Sequence, residues 1–161
     1  MRLTDEVKTV IKEPPSTAGF TTTSMGVNMA NYARCKITLI TDCSDAAVVG
    51  GAVTLFQGTS ATCETALPFT EYWKNEDMEA GDTLTKVTAT TLASAGVRNK
   101  LAMYVFEVKA DQLDTDTFGS ENTYIRLNMT AITTATGTSV LMYQLYEPRY
   151  VRGAENLPSG F

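Results

Sequence analysis

Threonine is the residue that most restricts the fold of this chain, since it accounts for 26 of the 161 residues. Threonine is β-branched and stiff at χ1, and it suits a half-exposed pleated surface better than a helix interior. Only 19% of the residues are charged. A chain rich in threonine and poor in charge indicates β-structure whose outer faces carry hydroxyl groups.

Short segments with strand character follow one another from Met25 onward, separated by turn residues. In the strongest of them, Leu101–Val108, the side chains of Tyr104, Phe106 and Val108 fall on one face. Seven or eight short strands with no long helices between them predict an all-β fold, an antiparallel β-sandwich or jelly-roll-like domain. The predicted strands are residues 34–41, 46–57, 71–73, 83–92, 101–108, 124–132 and 139–146. In the first of these, apolar and polar residues alternate, which places Cys35, Ile37 and Leu39 on one face of a half-buried strand.

Two glycine-containing segments are expected to interrupt or connect these strands. Gly50 and Gly51 lie inside the second strand, and paired glycines in a strand indicate a bulge, a bend or a tight turn. Residues 133–138 contain Gly137 and lie between the last two strands, a pattern typical of a hairpin turn. The last two strands are therefore predicted to be hairpin partners.

The segment Leu3–Glu13 is the one part of the chain with a helical period, and the two prolines that follow would end a helix. An isolated helix of this length is marginal in water. It would therefore either pack on its own domain or serve as an arm that orders on a neighbour. The predicted organisation is an N-terminal arm or short helix with its linker over residues 1–24, a β-sandwich domain over 25–147 and an extended C-terminal tail over 148–161.

Histidine is absent from the sequence, which removes the commonest general base and the commonest metal ligand. This excludes serine–histidine and cysteine–histidine hydrolases, and metal sites built on imidazole. The acidic residues between Asp111 and Glu121 match a calcium loop poorly, because Phe118 occupies a ligand position. We therefore expect no enzymatic activity, no cofactor and no metal ion.

Charge and cysteine content restrict the partners and the compartment. A net charge of -5 would repel nucleic acid and anionic membranes, so neither is an expected partner. The three cysteines include no CxxC pair, which predicts free thiols in a chain that folds in a reducing cytoplasm. The first six residues lack the apolar core of a signal peptide, and no apolar stretch reaches the roughly 20 residues of a membrane span.

Three segments in the C-terminal half of the domain form a strand-loop-strand-strand pattern: Tyr104–Asp114, Tyr124–Thr130 and Ser139–Tyr150. Together they cover about residues 101–150, and their pattern resembles that of small structural proteins of tailed bacteriophages. The pattern is similar to that of head decoration, or cement, proteins. The resemblance implies a non-catalytic virion protein, made in the host cytoplasm, that forms a homotrimer on the outside of an icosahedral head and contacts the major capsid protein.

A decoration protein needs contact elements at its surface, and the two termini are the expected ones. The predicted contact residues are Val7, Val10 and Ile11 in the arm, and Arg149, Tyr150, Arg152 and Phe161 in the tail. Two alternatives remain open. One is a tail, neck or head-fibre module of the virion, and the other is a carbohydrate-binding module that uses Tyr72 and Trp73 as a stacking platform.

Overall fold

The computed structural model describes residues 7–16, 26–43, 51–114, 119, 121–130 and 137–149, with the backbone alone for residues 12–16 and 137. Within these ranges the chain forms eleven strands and a short 3-10 helix, Ala110–Gln112. No helix in this part of the chain is long and apolar enough to cross a membrane. The strands are β1 (Val7–Ser16), β2 (Val27–Asn28), β3 (Tyr32–Cys43), β4 (Gly51–Gly58), β5 (Thr65–Leu67), β6 (Glu71–Asn75), β7 (Thr85–Thr88), β8 (Leu92–Ala95), β9 (Lys100–Lys109), β10 (Tyr124–Met129) and β11 (Gly137–Pro148).

The strands form two antiparallel sheets, which confirms the predicted all-β sandwich-like fold. The larger sheet has six strands in the order β1-β11-β3-β9-β6-β7. The smaller sheet has the order β2-β10-β4-β5, and β8 also pairs with β4. Because antiparallel strands alternate their side chains between two faces, each sheet turns one face to the core and the other outward.

The core is built from the inward-facing rows of both sheets. In the six-stranded sheet, Leu39, Phe106 and Tyr143 are fully buried, and Leu127 and Ile125 meet them from the five-stranded sheet. The alternation predicted for residues 34–41 and 101–108 is confirmed, because the inward side chains of β3 and β9 from Cys35 to Cys43 and from Ala102 to Val108 are all buried. A continuous apolar cluster between two sheets is sufficient to hold a domain of this size together.

The N-terminal segment is a strand, so the helix predicted over Leu3–Glu13 is wrong for residues 7–13. β1 pairs with β11 at the edge of the six-stranded sheet, with Val10 opposite Tyr143. Three of the five residues Val7–Ile11 are valine or isoleucine, and β-branched residues favour a strand once a neighbouring strand is present. The register shifts between Ile11 and Ser16, where Pro14 and Pro15 lie, as expected for proline in an edge strand.

The predicted hairpin between the last two strands is also wrong. β10 pairs with β2 and β4 in the smaller sheet, whereas β11 pairs with β1 and β3 in the larger sheet. The chain therefore crosses from one sheet to the other between them. A threonine- and glycine-rich connection suits both a hairpin and a crossing between sheets, and crossings of this kind are how a sandwich encloses its core.

The irregularity predicted at Gly50 and Gly51 is confirmed for Gly51. The pairing of β4 with β8 shifts register between Gly51 and Val53. A Cβ atom on Gly51 would lie 1.8 Å from the carbonyl oxygen of Thr130, so only glycine allows the two backbones to approach this closely. Gly50 lies outside the described residues.

Candidate protein-interaction surface

The outward face of the six-stranded sheet is unusually apolar. Cross-strand pairing aligns its residues in rows that run from strand to strand. One row crosses five strands and consists of Ile11, Met142, Thr38, Val105 and Trp73. The adjacent row consists of Val140, Ile40, Met103 and Asn75. Seven of the nine side chains in these two rows are therefore apolar, at positions on the outward face of an antiparallel sheet where polar residues are usual.

We refer to the seven apolar side chains of these two rows as the apolar band: Ile11, Ile40, Trp73, Met103, Val105, Val140 and Met142. The side chain of Ile11 is 63% exposed, whereas that of Val105 is only 6% exposed because its neighbours cover it. The other five are half-buried. With strands about 4.8 Å apart, the band is about 20 Å long. Contiguous apolar side chains on the outward face of a sheet make this band a candidate interaction surface.

Charged residues border the apolar band on one side and are already paired with one another. Arg34 Nη1 donates to Glu107 Oε1 at 2.8 Å, and Arg34 Nε lies 3.1 Å from Glu147 Oε2. The hydrogen bond that Arg34 donates to Glu107 and the negative charge of Glu147 raise the pKa of the Arg34 guanidinium. Lys86 Nζ lies 2.6 Å from Glu71 Oε2 at the far edge of the sheet. The face therefore has an apolar centre and a polar margin, which is the usual anatomy of a protein interface.

The β1 edge is poorly suited to pairing with another strand, although its outer edge has no neighbouring strand among the described elements. Lys8 is half-buried on the same side of β1 as Val10, and burial lowers the pKa of its ammonium. Pro14 and Pro15 have no N–H group to donate. Inward-pointing charges and prolines are both devices that prevent edge-to-edge association. Contact through the face of this sheet is therefore favoured over contact through its edge.

The predicted contact residues of the arm separate into outward and inward positions. Ile11 lies at the end of the apolar band, and Val7 is half-buried on the same side of β1. Val10 is 3% exposed and faces the core, so its side chain cannot reach a partner. Val7 and Ile11 are thus the two residues of this group that can contribute to an external contact.

Of the predicted contact residues in the tail, Arg149 lies in the described part of the chain. Its side chain is exposed, and its backbone N–H donates to the carbonyl oxygen of Asn31 at 2.9 Å. Arg149 lies beyond the end of β11, away from the apolar band. Tyr150, Arg152 and Phe161 lie outside the described residues.

The two aromatic residues considered for sugar stacking occupy different environments. Tyr72 is 5% exposed and packs in the core, with its ring centroid 5.6 Å from that of Phe106. It is therefore not available to stack on a sugar. Trp73 faces outward within the apolar band, and Lys86 Nζ lies 5.8 Å from its ring centroid.

The cysteines are free, as predicted from their number and spacing, and the structure buries all three. Cys35, Cys43 and Cys63 form no disulfide. Burial raises the pKa of all three thiols, and for Cys63 it reaches about 12. Among the residues whose positions are known, no group of three or more cysteine, aspartate or glutamate side chains is arranged to hold a metal ion.

Apolar residues on both faces of the same strands were the sequence signal for the apolar band. Leu101–Val108 and Ser139–Tyr146 are almost continuously apolar, which is typical of strands covered on both sides. Attention to one face of each strand identifies the core and overlooks Met103 and Met142.

Comparison of the chain with protein-family models, curated proteins and solved structures finds no match.

Proposed function

We propose that this chain is a non-catalytic structural protein of a phage virion, a capsid decoration protein that binds the outside of an icosahedral head. The apolar band is the observation that carries the proposal, because it supplies a surface for adhesion. The resemblance of residues 101–150 to head decoration proteins supports the choice of partner, the major capsid protein.

The size of the apolar band fits a contact that is weak alone and strong when repeated. A stable pairwise interface buries about 800 Å2 on each partner, which is more than a two-row band provides. A head presents many identical sites, and a trimer would engage several of them at once. Multivalent attachment increases the apparent affinity without new contacts. We therefore propose that the protein acts as a homotrimer and stabilises the shell by linking neighbouring capsid subunits.

Co-sedimentation with empty heads tests the proposal directly. The purified full chain would be mixed with heads assembled from the major capsid protein of the same phage and centrifuged. Saturable recovery in the head fraction is expected, together with a trimer mass for the free chain in equilibrium sedimentation. A chain that stays in the supernatant at saturating concentrations of heads would contradict the proposal. Imaging of labelled virions separates it from a tail, neck or head-fibre module, because only a decoration protein covers the head.

Carbohydrate binding is a second candidate, and one cleft favours it. A cleft of about 230 Å3 lies beside Trp73 and is also lined by Phe69, Glu71 and Glu107. An aromatic side chain next to carboxylates can stack on a sugar ring and accept hydrogen bonds from its hydroxyl groups. Binding to a glycan array that is lost in Trp73→Ala and retained in Met142→Glu would favour this function over capsid decoration.

A further inference from the structure

The strand β3, which crosses the middle of the apolar band, carries an exposed charge on each side of the band. Within β3 the exposed residues are Lys36 and Asp42, and every other residue is buried or half-buried. Both point outward, because they alternate in step with Thr38 and Ile40, which lie in the two rows of the band. Lys36 and Asp42 are six residues apart, so their Cα atoms lie roughly 20 Å from each other, with the band between them.

Lys36 has no ion-pair partner in the described part of the chain. Its cross-strand neighbours are Gln144 on β11 and Glu107 on β9. Gln144 is uncharged, and the carboxylate of Glu107 is bound to Arg34 at 2.8 Å. Lys109 lies on the same side of the band, is exposed, and likewise forms no ion pair with a described residue. This side therefore presents two ammonium groups that are open to a partner.

The opposite side of the apolar band is acidic. Asp42 lies across from the uncharged Leu101 on β9. The loop after β6 reaches the same side, because Met78 N donates to the carbonyl oxygen of Leu101 at 2.9 Å. That loop contributes two further exposed carboxylates, Glu79 and Asp82. None of these three carboxylates forms an ion pair with a described residue, so this side presents unmatched negative charge.

Opposite unpaired charges on the two sides of an apolar centre give this face of the sheet a polarity. Charges at the rim of an interface add little affinity, but they steer the encounter and oppose partners that present like charges. The face therefore selects its partner by charge pattern as well as by apolar character. A partner that matches Lys36 on one side must also match Asp42 on the other.

We propose that the apolar band docks a capsid segment whose apolar stripe is flanked by acidic side chains over Lys36 and by basic side chains over Asp42. This docking mode rests on the proposed function, since it takes the major capsid protein as the partner. Turned by 180° on the face, the segment would bring like charges together on both sides, so it binds in one direction. A second copy of the chain is a poorer occupant, because a stable dimer buries about 800 Å2 on each partner and the two-row band provides less. The repeated subunits of a head compensate for a small contact by multivalent attachment.

Charge reversal on the two sides of the band tests this docking mode in the full chain. Lys36→Glu and Asp42→Lys change the net charge in opposite directions, yet each is expected to weaken binding to empty heads about fivefold at low salt, and less at about 0.5 M NaCl. Both residues are exposed, so the variants should keep the Tm of the wild type. Lys36→Gln and Asp42→Asn remove each charge with little change in size and should give smaller losses in the same direction. Glu64→Lys is the matched control: Glu64 is exposed beside the smaller sheet, and this variant should bind as the wild type does.

The contrary results separate this docking mode from the proposed function. Affinity that shifts in opposite directions in Lys36→Glu and Asp42→Lys would mean that only the net charge matters, and would overturn the docking mode. Wild-type affinity in both variants, together with a loss in Met142→Glu, would overturn the docking mode and leave capsid decoration standing. A wild-type chain that does not bind heads would overturn both. A dimer in equilibrium sedimentation that Met142→Glu abolishes would mean that a second copy covers the band, and would also overturn the docking mode.

Discussion

The phenol oxygen of Tyr143 accepts a hydrogen bond from the backbone N–H of Leu127 at 2.8 Å, and this bond joins the two sheets inside the core. The bond is required because β2 is only two residues long and pairs with Tyr124 and Ile125. Leu127 lies beyond the end of this pairing, so the backbone N–H of Leu127 needs a partner from the opposite sheet. Both residues are fully buried, and burial raises the pKa of the Tyr143 phenol.

Tyr143→Phe is expected to destabilise the protein by about 1–3 kcal/mol, because it leaves the buried Leu127 N–H unsatisfied. Tyr32→Phe is the matched control. Tyr32 is 1% exposed, and its hydroxyl has no hydrogen-bond partner within the described part of the chain, so its removal should cost little or increase stability. Urea unfolding of the two variants measures the difference, and equal destabilisation would show that the Tyr143 bond has no special role.

Gly51→Ala is expected to destabilise the protein by at least about 2 kcal/mol, because the new methyl group would collide with the backbone carbonyl of Thr130. The two segments are also held together by hydrogen bonds, from Ala52 N to Thr130 Oγ1 at 2.8 Å and from Thr130 N to Ala52 O at 3.0 Å. They cannot separate without losing both. Gly81→Ala is the control, since nothing lies within 4 Å of its added Cβ. A lower Tm for Gly81→Ala than for Gly51→Ala in thermal unfolding would argue against the close approach of the Gly51 and Thr130 backbones.

The three buried thiols are expected to be unreactive in the folded protein. A thiol reacts with Ellman's reagent as the thiolate, and burial both blocks access to Cys35, Cys43 and Cys63 and raises their pKa values. Folded protein should release almost no chromophore over minutes, and three equivalents should appear in denaturant. Rapid labelling of one thiol under native conditions would show that the strand carrying it opens easily.

Stability is expected to fall under alkaline conditions. Burial raises the pKa of Cys63 from 9.0 to about 12, and Arg126 opposes this only in part. Above about pH 9 the unfolded chain therefore loses the proton that the folded chain keeps, which favours unfolding as pH rises. The urea midpoint should decrease between about pH 8 and pH 10.5, and less steeply in Cys63→Ala. A midpoint that is independent of pH over this range would contradict the buried position of the thiol.

The fold class could be predicted from local sequence because it depends on short-range patterns. Alternation in residues 34–41 and 101–108 is a property of each strand alone, and it identified the inward residues of β3 and β9. The choice of partner strand is not local. Nothing in the segment around Gly137 distinguishes a hairpin from a crossing between sheets, and nothing in Val7–Ile11 reveals that β11 offers a free edge.

The candidate surface was only partly predictable for the same reason. Ile11 was identified as a contact residue from its apolar character, and it lies at the end of the apolar band. Val10 has the same character, but pairing with Tyr143 turns it inward. Met103 and Met142 become neighbours of other apolar residues only through the register of four strands, which a single sequence does not reveal.

The claim that the apolar band is the adhesive surface is tested most directly with variants of the outward faces of the two sheets. The quantity to measure is how fully each variant occupies phage heads. Met103→Glu and Met142→Glu place a charge in the band, and Thr54→Glu places one on the exposed face of the other sheet. In co-sedimentation with empty heads, the two band variants should lose occupancy about tenfold or more, while Thr54→Glu keeps that of the wild type. Unchanged occupancy of both band variants, or a loss confined to Thr54→Glu, would contradict the account.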